Sequence, residues 1–249
     1  MTSIVFVVMA FMEVPMHVVC YRDSDLSSTQ RQRIARYRHR VFVEMLGWPL
    51  PANREGSEQD EFDTAPSLHV IATDDDARIV GYARLRPTTE PYLLAVHFAS
   101  LLNGHSAPCD PHTWEISRYA AINLVDPASG CHTDVGKAVL RAAIVQARAR
   151  GAERLVCCTS VAIERVALRW GFRMQRLGPP ARHAADLIVA AGIEFDARTL
   201  EALAPKTKAF LDPFHSEAVP TASAAQPAEE LAVRRLPQRQ AAATFPITA

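Results

Sequence analysis

A three-layer α/β sandwich on a mixed sheet is the fold the sequence predicts, and three observations predict it. Runs of strand character alternate with runs of helical period over most of the chain. An amphipathic helix and an antiparallel hairpin precede that alternation. The chain is also long enough, at 249 residues with 49% of them apolar, to bury a substantial core.

The elements follow in order. MTSIVFVVMAFMEVP, residues 1–15, is apolar but carries Glu13, has no basic opening and no small-residue cleavage site, and is too short to span a bilayer. It is read as an N-terminal extension, ahead of a single catalytic domain over residues 16–215. MHVVCYR then reads as the first strand. SSTQRQRIARYRHRVFVEML predicts a helix, with Ser27 and Gln30 spaced as a capping box. SLHVIAT, the turn DDDA and RIVGYARLRP form a hairpin. A strand over 114–122 and a loop with DPASG lead to TDVGKAVLRAAIVQARARG, a long amphipathic helix. RLVCCTS reads as a buried strand and VAIERVALRWG as a helix closing on Gly171. A further helix is expected around Ala184 to Ala191, with a short strand near Ile193. From Ser216 the composition turns to Ala, Pro and Gln without an apolar period, so residues 216–249 read as a disordered tail.

Composition removes several classes. Equal numbers of basic and acidic side chains, 27 of each, argue against a nucleic-acid or membrane-surface protein. The five cysteines include no C-x-x-C, so neither zinc nor a disulfide framework is indicated, and a reducing cytoplasm is the expected location. Histidines such as His39, His69 and His97 have no ligand spacing, and no metal is expected.

Charges inside predicted regular elements are the functional signal, because a buried charge loses its hydration unless paired. Arg38 lies on the apolar face of the first helix, within roughly 40° of Ile34, and the bland reading is that it snorkels to solvent. Period 2 sets Ile79, Ala83 and Leu85 on one face of the hairpin strand and Val80, Tyr82 and Arg84 on the other. Asp60 and Asp63 bracket Phe62 in an acidic loop that would ordinarily be solvated surface. Glu115 and Arg118 lie in the strand WEISRYAA. Together Arg38, Asp60, Asp63, Arg84, Glu115 and Arg118 make a balanced set suited to a zwitterionic ligand; a purely structural salt-bridge cluster is the competing account for Asp60, Asp63 and Arg118.

Taken in order, R-H-R-V-F-x5-W (Arg38, Phe42, Trp48), D-E-F-D (Asp60 to Asp63), G-Y-A-R-L-R-P-T with P-Y-L-L, Phe98 and W-E-I-S-R-Y resemble the signature of acyl-homoserine-lactone synthases, the autoinducer synthases of bacterial quorum sensing. The resemblance runs from about Met16 to Pro213, with weaker echoes in T-S-x-A-x-E-R and R-L-G-P. It implies a fold similar to the N-acetyltransferase fold, no permanently bound cofactor, and two substrates, S-adenosylmethionine and an acyl thioester, usually on acyl carrier protein. It also implies a site of Arg38, Phe42, Trp48, Asp60, Asp63, Arg84, Phe98, Glu115 and Arg118, with Glu115 and Arg118 catalytic and the others binding substrate.

Such an enzyme must present a neutral methionyl amine to the thioester carbonyl and then fold the carboxylate onto the carbon beside the sulfonium, releasing methylthioadenosine. The second step is intramolecular and gains from positioning; the first wants a general base, for which Glu115 acting through a water is the candidate. Glu115 and Arg118 face opposite ways in a regular strand, so both reach the site only if the strand bulges near Ser117; the acetyltransferase-like fold that the resemblance implies has such a bulge at this strand, and one is expected here, whereas unbroken alternation would remove Arg118 from the site. The acyl chain is expected between strand 154–160 and the following helix, lined by Val156, Cys158, Leu168 and Trp170, with Thr159 or Ser160 near a 3-oxo group. Lys137, Arg141 and Arg148 fall within roughly 40° around the long helix, with Arg150 and Arg154 beyond its end, a basic stripe fit to dock an acidic carrier or simply a solvated face. A plain N-acetyltransferase would share the fold, but GCHTDVGKA lacks the Q/R-x-x-G-x-G/A loop. A non-catalytic binding module would have no need of Glu115.

Overall fold

The computed structural model describes residues 16–50, 56–125, 133–171 and 173–203. The expected N-terminal extension and the C-terminal tail lie outside the described residues. Strand β1 (His17–Arg22) leads through a short 3-10 turn into α1 (Ser28–Arg38), whose start is the predicted capping box: Gln30 N donates to Ser27 Oγ at 3.2 Å and Ser27 N to Gln30 Oε1 at 2.9 Å. The helix does not end at Arg38 but widens into a π-helical segment, His39–Met45. The hairpin β2 (Leu68–Thr73) and β3 (Ile79–Pro87) follows, then the short α2 (Leu93–His97), a 3-10 turn (Ala99–Leu102) and β4 (Thr113–Ala120). The crossover α3 (Thr133–Arg148), β5 (Arg154–Ser160), α4 (Val161–Arg169), β6 (Met174–Arg176), β7 (Ala181–His183), β8 (Asp186–Glu194) and α5 (Ala197–Ala202) complete the order.

The strands form one mixed sheet in the order β1-β2-β3-β4-β5-β8-β6, with β7 also paired to β8. Among the described residues only β4 and β5, joined through α3, run parallel, and they pair over three residues: Thr113 with Arg154, Trp114 with Leu155, Glu115 with Val156. Beyond that rung the two strands part, and the sheet opens into a fork. One face is covered by α3 and α4, packing Val135, Val139, Ala143, Ile144 and Ala167 on Val70, Ala83, Leu85, Trp114 and Leu155. The opposite face carries two separate apolar clusters. One sets Ile34, Tyr37, Val41 and Phe42 on Ile71, Tyr82 and Ala120; the other sets Tyr92, Leu94, Leu101 and Leu102 on Val156 and Ala190. The three-layer sandwich is as expected.

Two expectations fail. The helix over Ala184–Ala191 is instead a β-hairpin, turning at Ala184 in the left-handed region (φ 50°), with β8 buried from Val189 to Ile193 in the sheet. Period 2 also breaks early in β3, where the register slips between Ala72–Gly81 and Thr73–Ile79. Val80 therefore packs with Ala83 and Leu85, and Ile79 on the Tyr82 side, the reverse of the sequence assignment. No helix among the described residues is long and apolar enough to cross a membrane.

Candidate active site

Six charges from four stretches of chain close into a ring on the α1 face of the sheet. Arg38 Nε meets Glu58 Oε2 at 2.6 Å and its Nη1 meets Asp63 Oδ1 at 2.6 Å. Asp63 also meets Arg84 Nη1 at 2.8 Å; Arg84 clasps Asp60, with Nη2 donating to Oδ2 at 3.0 Å. Asp60 Oδ2 meets Arg118 Nη2 at 2.9 Å, and Arg118 returns to Glu58 Oε1 at 3.1 Å. Signs alternate around the ring, every member has at least two partners of opposite charge, Arg38 and Asp60 also meeting across it at 3.7 Å, and the six formal charges cancel. All six side chains are at most 7% exposed. Snorkelling of Arg38 is thus excluded: burial would by itself oppose charge, and the carboxylates around the guanidinium offset it.

Local structure aims each member. The capping box starts α1 so that Arg38 falls on the buried side at its last turn. The acidic loop is tied down by itself and by the helix: Asp60 N donates to Asp63 Oδ2 at 2.9 Å, Phe62 N to Asp60 Oδ1 at 3.0 Å, and Glu58 N to Ala35 O at 3.0 Å. Phe62 is buried beneath the Arg84 and Arg86 guanidiniums, 5.6 and 5.7 Å from its ring centre. In β4 the predicted bulge is present. Arg84 pairs with Ser117 but Tyr82 with Ala120, so β4 holds one residue more than β3 over this span, and Arg118 takes φ 53°. Trp114 and Ile116 face α3; Glu115, Ser117 and Arg118 face the site, and alternation resumes with Tyr119 back toward α3.

Burial pushes the pKa of Asp63 up, but the Arg38 and Arg84 charges outweigh it and hold the carboxyl well below the usual range; Arg84 does the same for Asp60. Glu115 behaves oppositely. It is fully buried, burial raises its pKa, and the amide N–H groups of Leu94 and Leu93, which donate to its two oxygens at 2.7 and 3.1 Å, only partly counter that. Glu115 is therefore not part of the ring. It stands at the last β4–β5 rung and holds the start of α2. Its place in the expected set of three acids is taken by Glu58, which sequence reasoning missed; its one signal was the E-x-D spacing with Asp60.

At the rim of the ring Phe42 and Trp48 stack, centres 4.9 Å apart and planes at 24°, with Trp48 38% exposed and Phe42 buried against the Arg118 guanidinium. Phe98 is not here. It belongs to the other side of the fork, packing with Tyr92, Leu94, Leu101 and Leu102 and meeting His183 edge-on at 5.4 Å. The structure also divides the expected acyl pocket. Val156 and Cys158 face this α2 cluster, whereas α4 packs on the opposite face, on Leu155 and Cys157. Trp170 lies in that opposite core under the Lys137 ammonium, and Leu168 is half exposed. Ser160 caps α4 through Ile163 N at 3.2 Å, and Thr159 pairs with Val189 in β8. The wall formed by residues 92–102 went unrecognised in the sequence. Among the basic residues, Lys137, Arg141 and Arg148 share the outer face of α3; Arg150 folds back onto Gln146, and Arg154 is tied to Asp110 at 3.4 Å and Thr113 at 2.7 Å, so it is no part of a stripe. Among the described residues no group of side chains could hold a metal ion.

Comparison with known proteins gives one consistent result. The family described as autoinducer synthase matches residues 23–203. The acyl-homoserine-lactone synthase of Acinetobacter nosocomialis is 40% identical over 171 residues, 66% of this chain and 92% of the relative. That of Ralstonia solanacearum is 43% identical, over 68% and 84%. Among solved structures, the AHL synthase LasI superposes with TM-score 0.70 at 29% identity, covering 77% of this chain and 95% of that one. TofI, in a ternary complex with an inhibitor and MTA, gives 0.66 at 37% identity, covering 75% and 95%. BjaI, a CoA-dependent acyl-homoserine lactone synthase with SAM and isopentyl-CoA, gives 0.67 at 25%, covering 76% and 88%.

Proposed function

Since the chain belongs to the autoinducer synthase family and is an acyl-homoserine-lactone synthase, we propose that it joins S-adenosylmethionine to an acyl group delivered as a thioester on acyl carrier protein. The amine is acylated first; lactonisation then expels methylthioadenosine. The observation that carries this reading is the position of the charge ring and the apolar cluster on either side of the β4–β5 fork, with Glu115 at the junction. The complexes of TofI with an inhibitor and MTA and of BjaI with SAM and isopentyl-CoA support it.

In this reading the S-adenosylmethionine lies against the ring, its carboxylate toward Arg38 and Arg84, its cationic groups toward Asp60 and Asp63, and its adenosyl group under Phe42 and Trp48. Arg118, held by the bulge, closes the ring beside it. The acyl chain enters the fork and runs against Val156, Cys158, Phe98, Leu94 and Leu102. Strand amides freed at the fork are the donors for the oxyanion. Glu115 takes the proton that nitrogen sheds as the C–N bond forms and returns it to the departing thiolate. Its raised pKa suits that exchange, and each carboxylate oxygen keeps a lone pair beyond the one used by an α2 amide. Ring closure needs no acid or base, only a folded chain.

A carrier protein is preferred over coenzyme A because Lys137, Arg141 and Arg148 present one outward basic face on a chain of no net charge. We assign the working domain to residues 16–215 and its location to the cytoplasm. The test is to supply purified protein with S-adenosylmethionine and either acyl carrier protein or coenzyme A thioesters. Methylthioadenosine and lactone in equal amounts support the reaction. A higher kcat/KM with the coenzyme A thioester would overturn the choice of donor.

A further inference from the structure

Against Arg38 lies a second string of buried polar side chains that the chemistry above does not use. His69 on β2 is 2% exposed; its Nδ1 is 2.7 Å from the Tyr82 hydroxyl and its Nε2 is 3.1 Å from Asp23 Oδ1. Asp23 in turn accepts from Arg31 Nη1 at 2.7 Å, and the Arg31 side chain, 33% exposed, reaches solvent. Tyr82 is fully buried, its ring centre 5.8 Å from the Arg38 guanidinium carbon. Between this string and the charge ring is a cavity of about 10 Å3, bordered by Asp23, Arg31, Arg38, Asp63 and His69. It has the size and the polar lining for one water. Arg38 Nη2 is buried and makes no hydrogen bond, standing 3.7 Å from Asp60.

The direction of the string follows from its ends. Beside the Asp23 carboxylate, Nε2 of His69 carries the proton and donates, which leaves Nδ1 to accept from the Tyr82 hydroxyl. Charged and titratable groups face His69 from all sides: Asp23 in the 3-10 turn before α1, Arg31 in the first turn of α1, Arg38 at its end, Asp63 in the acidic loop, Tyr82 on β3, and Arg84 opposite it in the β2–β3 register. Burial lowers the His69 pKa against the pull of Asp63 and Asp23, so the ring is neutral between transfers. Burial likewise raises the Tyr82 pKa, so it passes a proton only by taking one as it gives one.

Proton accounting shows what such a string is for. S-adenosylmethionine arrives with an ammonium group, and only the free amine attacks. One proton must leave before attack. The second, shed as the C–N bond forms and the C–S bond of the thioester breaks, goes to the thiolate through Glu115. Each turnover thus releases one net proton at acylation, from a ring whose members are at most 7% exposed. Lactonisation, in which a carboxylate oxygen displaces sulfonium sulfur, releases none.

We infer that Tyr82, His69 and Asp23 form the exit relay for that first proton, entered where Tyr82 lies against Arg38 and opening through Asp23 onto the cavity, whose one water leads to solvent beside Arg31. The inference rests on the reading of the chain as a synthase that acylates S-adenosylmethionine. Its test separates the two half-reactions in Tyr82→Phe, which removes one oxygen and keeps the ring under Arg38, and in His69→Gln. Single-turnover acylation is expected to fall about tenfold to a hundredfold in both, with KM for S-adenosylmethionine little changed. Lactonisation of synthetic acyl-S-adenosylmethionine should stay within about twofold of wild type. Equal losses in both half-reactions would reduce the string to a structural support, and unchanged acylation in Tyr82→Phe would overturn the relay outright. Wild-type protein that releases no methylthioadenosine would instead overturn the reading beneath it.

Discussion

On one side of the β4–β5 fork stand Arg38, Glu58, Asp60, Asp63, Arg84 and Arg118, each held by two opposite charges; on the other stand Val156, Ala190, Leu94, Leu101 and Leu102, held by shape alone. Both sets are buried, yet they respond to change differently. Removing one member of a closed charge ring strands two buried partners, a cost of about 3–5 kcal/mol. Trimming or enlarging an apolar wall costs in proportion to the volume altered and leaves nothing unpaired. The charged side therefore tolerates no drift, and the apolar side can vary. That asymmetry suits a synthase whose amine substrate is fixed and whose acyl chain has to be chosen.

The sharpest break comes from Arg84, which holds Asp60 and Asp63 together. Arg84→Met should lower stability by about 3–5 kcal/mol in urea titration and abolish measurable lactone synthesis. At the junction, Glu115→Gln should slow single-turnover acylation by roughly 10²–10⁴. The far-UV spectrum should be kept, because the amide oxygen still accepts from Leu94 N, while the Leu93 N–H loses its acceptor at a cost of about 1–3 kcal/mol. If the loss were no greater than that of a distant surface variant, Glu115 would be only the anchor of α2. On the apolar side, Val156→Phe should shift the product toward shorter acyl chains by about tenfold in mass-spectrometric ratio, the worth of one or two methylenes, at a stability cost of about 1–3 kcal/mol.

Acidity separates the two sides as well. The folded-state pKa values of Asp60 and Asp63 lie below their unfolded values, so their contribution to stability is complete above the ordinary carboxylate range and is lost as pH falls below about 4. Glu115 has the opposite sign, its pKa being raised on folding, and its burial costs less as acid protonates it. Stability measured from pH 7 downward should thus hold level and then drop, with Arg84→Met flattening the drop. The smallest effect is expected far from the fork: charge reversal at Arg141 and Arg148 should raise the carrier's KM several-fold with kcat little changed.

How much of this was legible varies by residue for physical reasons. Strands and helices from β1 to α4, apart from the short α2, announced themselves by period and by caps. The β7–β8 hairpin did not, because ADLIVAAG is a short apolar run whose period fits either element, and its turn at Ala184 has no glycine to signal a positive φ. Arg38, Arg84 and Arg118 stood out as charges within apolar elements, whereas the bulge at Ser117 was implied by the family resemblance, the odd spacing of Glu115 and Arg118 saying only that both could not face the site without it. Glu58 was hidden, since nothing in an acidic loop distinguishes the carboxylate that will be buried from those left in solvent. The acyl wall was misplaced because alternation along RLVCCTS states which residues share a face but not which helix covers it.

The fork itself has a consequence that can be read without any chemistry. Past the rung between Glu115 and Val156 the two strands no longer share hydrogen bonds, so amides that a continuous ladder would protect are left to exchange with water. An extended thioester arm lodged there would take the place of the absent rungs and slow that exchange, leaving the closed rungs at Thr113 and Trp114 unchanged. Deuterium uptake along 116–120 and 157–160 therefore becomes a footprint of donor binding, available even from a variant too slow to turn over.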